Sequence, residues 1–158
     1  TGMLRSAAMS GNGEETILAA TAILADAKVA PELENEARHY RSKALVEANQ
    51  MQHAAADWEA LAKDTRNVYG AEAKYRLAQY LFDAGKTAEA EKEVLNYLEV
   101  STPHTYWLAR GFVLLSDIYA KLDRKLEARQ YLLSLKQNYQ ADDDIAGMIE
   151  SRLEKLNE

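Results

Sequence analysis

Residues 77 to 98, LAQYLFDAGKTAEAEKEVLNYL, place a glycine inside an otherwise helical run and an alanine five positions later, and this pair recurs along the chain. Gly85 with Ala90 is matched by Asn49 with Ala54, by Asp123 with Ala128 and, more loosely, by Gly11 with Thr16. The second members stand 38, 36 and 38 residues apart, so four units follow one another. A repeat of this period constrains the fold more than any other feature, because one such unit cannot bury its apolar face without its neighbours.

Further positions fall into the same register. Seven residues before the turn residue stand the small Ser42, Ala78 and Ser116, and four before it the large Leu45, Leu81 and Tyr119. Four after the alanine position come Ala20, Trp58, Val94 and Leu132, and three further on Ile23, Leu61, Tyr97 and Leu135. Alternation of small and large places is what two helices need when they approach closely at one point and interlock at others. Gly85 then ends a helix in a left-handed conformation, which asparagine and aspartate also tolerate. Ala90 opens the next helix where its antiparallel partner passes close, so a larger side chain there overpacks the pair. With two prolines and an abundance of good helix formers, the spacing predicts an all-α chain with helices at about 2–10, 14–26, 32–48, 51–64, 70–84, 87–101, 104–121, 125–138 and 143–156. Asp142 to Asp144 are expected at the positive end of the last helix, with Ile145, Met148, Ile149, Leu153 and Leu156 on its apolar side and Glu150, Arg152, Glu154 and Lys155 in solvent, as in a helix that caps a stack.

The pattern resembles the tetratricopeptide repeat, whose motif has a small residue in its first helix, a turn glycine and an alanine opening its second. Residues 73 to 103 are the best copy, with Leu77, Ala78, Gly85, Ala90 and Pro103; residues 109 to 139 follow with Leu115, Ser116, Tyr119 and Ala128. In residues 35 to 65, Arg41 stands where the family prefers leucine, and the unit spacing exceeds the family's thirty-four. The resemblance implies a right-handed α-α superhelix of about four helix pairs (units about 1–31, 32–69, 70–103 and 104–140, then a capping helix at 143–156) forming a single solenoid domain, similar to envelope-associated repeat modules of bacteria. It also implies an inner surface lined by the first helix of each pair. Carried over by register, that surface comprises Glu36, His39, Lys43 and Glu47, then Glu72, Tyr75, Gln79 and Asp83, then Arg110, Val113, Asp117 and Lys121. Each set is spaced three or four apart, one stripe per helix. The mixture of charges does not match the cationic clamp by which some family members hold a terminal carboxylate, and suits an extended or helical peptide with both polar and apolar groups.

Composition narrows the partners. The net charge is -6 with pI about 5.2, and lysines and arginines are interspersed with acids, which disfavours nucleic acid. Charges interrupt every apolar run, so no membrane insertion is expected. The absence of cysteine excludes disulfides and suits either cytoplasm or periplasm. The opening TGMLRSAAMSG reads as a helix already under way, in a piece of a longer protein, with Met3, Leu4 and Ala7 exposed for self-association.

Candidate chemistry is sparse. His39, His53 and His104 lie in separate segments without metal-ligand spacing. SGNGEET, residues 10 to 16, lacks the lysine and preceding strand of a phosphate loop and reads as a turn. No nucleophile elbow surrounds a serine. The expectation is a non-catalytic protein- or peptide-binding scaffold that requires no cofactor or metal. The alternatives are a spacer or self-association module of an envelope assembly, and the helical arm of an enzyme.

Overall fold

The computed structural model describes residues 2–100 and 102–157, and these form helices and their connections without a strand. In chain order they are α1 (Gly2–Met9), α2 (Gly13–Leu24), α3 (Pro31–Glu47), α4 (Met51–Leu61), α5 (Val68–Asp83), α6 (Thr87–Glu99), α7 (Thr105–Lys121), α8 (Lys125–Asn138) and α9 (Ile145–Leu156). Every expected helix is present. Several ends differ, for local reasons. Helix α4 stops at Leu61, three residues early, and α5 begins before Gly70 because the Asn67 side chain accepts the amide of Tyr69 at 2.8 Å. Helix α9 starts two residues late, since Asp143 turns back to accept the Ile145 amide at 2.9 Å. The last residue expected in α6, Ser101, lies outside the described residues.

The helix-pair turns share one construction. Gly11, Asn49, Gly85 and Asp123 have φ of 74°, 61°, 82° and 60°. At each, the following amide reaches five residues back: Asn12 to the Ala7 carbonyl at 3.0 Å, Gln50 to Leu45 at 2.8 Å, Lys86 to Leu81 at 2.9 Å and Arg124 to Tyr119 at 2.8 Å. This bond satisfies a carbonyl that the ending helix would otherwise leave open, and it requires a left-handed residue. Five residues past the turn, Thr16, Ala54, Ala90 and Ala128 are all buried, as are Ser42, Ala78 and Ser116 seven residues before it. The large register positions Trp58, Leu61, Val94, Tyr97, Leu132 and Leu135 fill the core around them.

The chain divides into two compact units, Thr1–Leu77 and Ala78–Glu158, with the boundary inside α5. In the first, α1 packs on α2, α2 on α3 and α3 on α4, and α1 also touches α3. Leu4 and Ala7 are buried in these contacts, which corrects the expectation that they are exposed for self-association; Met3 alone of the three stands in solvent. Leu4 joins Ala19, Ala20 and Ala37, with Ile23, Leu24 and Tyr40 beside them. In the second unit α6 packs on α7 and α7 on α8, while α9 lies against both α7 and α8. Ile145, Ile149 and Leu156 of α9 are buried as the apolar spacing predicts.

Arg41 occupies the place that Leu77 and Leu115 hold in later units, both of them buried. Its Nε and Nη2 donate to Asp57 of α4 at 2.9 and 2.6 Å, and its Nη1 donates to Thr21 of α2 at 3.2 Å. The Asp57 side chain is 1% exposed. One guanidinium thus links α2, α3 and α4 where the two later units use a leucine.

Candidate functional site

The first-helix stripes are built from residues three or four apart, which one helix face brings into line. In the first unit α3 supplies Glu36, His39 and Lys43. Glu36 is held by Arg5 of α1, Nε to Oε1 at 2.5 Å and Nη2 to Oε2 at 2.9 Å, and this guanidinium keeps its carboxyl below the usual range. His39 stacks on Tyr69 of α5 with ring centroids 4.3 Å apart and meets Tyr40 edge-on at 5.3 Å. Lys43 is exposed. From α5, Glu72 approaches the imidazole and also accepts from Arg76 at 3.3 Å. Glu36, His39, Lys43 and Glu72 therefore come together, with Arg76 and Tyr69 beside them. Tyr75 is 5% exposed, with the Arg76 guanidinium 5.6 Å from its ring centroid, so it is a packing residue that offers a partner little surface. The aromatic at the surface of this cluster is Tyr69, which precedes the predicted helix start.

Burial pushes the His39 imidazole below its ordinary value; Lys43 and Arg76 act in the same direction, while Glu72 and Glu36 oppose it. The fold thus favours neutral His39, and the unfolded chain takes up the proton first as pH falls. The resulting stability is fully present above the unfolded pKa of about 6.5 and is lost as pH drops from there toward the folded value. Between about pH 7.5 and 5.5 the melting temperature of the native chain should fall further than that of His39→Phe, which keeps a ring against Tyr69. Parallel declines would show that His39 is not the titrating group.

In the second unit, Gln79 donates to Asp83 at 2.8 Å along α5, and Asp83 itself is exposed. On α7, Arg110 donates through Nη1 to the Tyr106 hydroxyl oxygen at 2.9 Å and lies 5.8 Å from the ring centroids of both Tyr106 and Trp107. Tyr106 donates in turn to Asp144, at 3.0 and 3.1 Å from its two oxygens. Asp117 is gripped by Arg152 of α9 through Nε at 2.8 Å and Nη2 at 3.1 Å. Arg152, expected in solvent, is thereby turned toward α7. Lys121 is exposed, with Nζ 5.2 Å from the Phe82 ring centroid.

The two bidentate pairs, Arg5–Glu36 and Arg152–Asp117, have a common logic. Arg5 and Asp117 each stand six residues before their turn residue, Gly11 and Asp123, as Lys43 and Gln79 stand before Asn49 and Gly85. At that register position α1 is tied to α3 and α7 to α9. Glu36 and Asp117 are consequently engaged by the fold, leaving Lys43, Glu47, Asp83 and Lys121 as the exposed charges of the stripes.

Among the described residues no three histidine, aspartate or glutamate side chains converge as a metal-binding group, and no helix is long and apolar enough to cross a membrane. No protein-family model, curated protein or solved structure matches the chain.

Proposed function

We propose that the chain is a non-catalytic protein- or peptide-binding scaffold of the tetratricopeptide-like class, its helix pairs stacking as the sequence resemblance implies. The observation that supports this reading is the common construction of the turns at Gly11, Asn49, Gly85 and Asp123, each left-handed and each followed by a buried small residue. Such units are rigid through short-range packing and present the outward faces of their first helices without reorganisation, which lowers the entropic cost of binding. In the first unit the presented face carries Lys43 and Glu72 around the His39–Tyr69 stack; in the second it carries Asp83 and Lys121, with Arg110 over Trp107. Charges of both signs beside aromatic rings suit a peptide of mixed character, the rings supplying affinity and the charges selecting the partner.

The test uses exposed positions, because replacing buried Tyr75 would report on folding. Native chain and a Lys43→Glu, Asp83→Lys, Lys121→Glu variant of equal helicity are compared in capture of proteins from a lysate of the organism that encodes the chain. A protein bound by the native chain and lost by the variant is the expected result. Identical capture by both would overturn the assignment of these faces.

A further inference from the structure

Arg41 opens a second surface. It lies two residues after His39, about 200° round the helix, so it faces away from the stripe. There α2, α3 and the start of α4 enclose a groove of about 540 Å3, within the range of about 300–1,000 Å3 common among ligand sites. Its apolar lining comes from Ile17, Leu45 and Ala56, and Arg41, Gln52 and His53 are among its polar lining residues.

Among the described lining residues of the groove, the charged side chain is Arg41. Asp57 is sealed beneath Arg41, 1% exposed against 23% for the arginine side chain, so the ion pair turns its positive end outward. The Arg41 Nη1 carries two hydrogens, of which Thr21 takes one. The groove lining includes an imidazole, two carboxamides and a hydroxyl, and among the described residues it holds no carboxylate. A ligand here meets hydrogen-bond donors beside the apolar side chains of Ile17, Leu45 and Ala56.

We infer that this groove binds a short peptide segment in which aspartate or glutamate adjoins an apolar residue. The carboxylate sits against Arg41 Nη1 and His53, and the apolar side chain rests on Ile17, Leu45 and Ala56. The site is independent of the stripe proposed above. The departure from leucine at residue 41 then has a use: it converts a packing position into a recognition position, at the expense of an ion pair that Asp57 must complete.

The experiment titrates the 15N-labelled chain with the blocked peptide Ac-Gly-Glu-Leu-Gly-NH2 and follows the backbone amides. Saturable shifts are expected at Thr21, Gln52, His53 and Ala56, with affinity about tenfold lower when glutamine replaces the peptide's glutamate. Ala56 is an exposed helix position, so Ala56→Glu preserves the fold while placing a carboxylate in the groove, and it should abolish binding; Lys43→Glu should leave it unchanged. The inference is overturned if glutamate and glutamine peptides bind equally, if Ala56→Glu binds normally, or if acetate alone reproduces the shifts. Shifts confined to Lys43, Glu72 and Tyr69 would overturn it too, and would support the stripe instead.

Discussion

Replacing Arg41 with leucine is expected to lower the unfolding free energy by about 3–5 kcal/mol, although leucine is the residue that the repeat places there in later units. The loss comes from Asp57. Both of its oxygens are taken by Arg41, at 2.6 and 2.9 Å, in a site where its side chain is 1% exposed. Without the guanidinium, the protein must either keep an uncompensated carboxylate away from water or distort α4 to release it. The converse also follows: Arg41→Leu combined with Asp57→Leu removes both charges and should recover most of the loss, since a buried ion pair replaced by packed apolar groups is often neutral or stabilising. The second unit already shows an apolar solution, with Leu115 buried and Tyr131 eight residues past its turn, where Asp57 stands relative to Asn49. Urea denaturation of native chain, single and double variants decides the matter. A single-variant loss below about 1 kcal/mol would mean the pair is only a surface-grade interaction. A double variant as unstable as the single one would show that the unit needs the pair itself.

The sequence carried the helices and the turns between them because the residues that decide these act locally. A left-handed helix end admits few residue types, so Gly, Asn or Asp at a fixed distance from a buried small residue marks each turn. The positions that resisted reading depend on partners far along the chain. Asp57 sits in MQHAAADWEAL, where an aspartate among alanines suggests an outward polar face, and nothing in its spacing reports that Arg41 meets it from α3. Spacing puts Glu36 in one stripe with His39 and Asp117 in one with Lys121, but it could not disclose that Arg5 and Arg152 occupy those carboxylates. The start of α5 had a readable signal in Asn67, an N-cap type; the glycine at 70 obscured it, being a poor helix former. Missing that first turn also hid Tyr69, the ring against which His39 stacks.

Gly70→Ala is the second substitution with a large expected effect, a loss of about 3 kcal/mol or more from overpacking. A Cβ at this position would lie 1.9 Å from the Asp64 carbonyl oxygen and 2.6 Å from that of Leu61. These are backbone atoms where α4 ends, so a side-chain rotation cannot relieve the clash. The helix start must move, and Tyr69 moves with it, so the variant should also lose the pH dependence assigned to His39. Gly111→Ala is the matched control: it too lies in a helix and is buried, but its Cβ would find only the Tyr97 ring and Val94 side chain, at 3.5 Å and beyond. There alanine gains helix propensity at ordinary contact distance, and stability should stay level or rise by up to about 1 kcal/mol. Opposite outcomes for two buried helical glycines, measured by the same denaturation curve, would trace the cost to the closeness of α4 and α5. Equal losses would trace it to burial alone, and the close approach would then have no special part in positioning Tyr69 against His39.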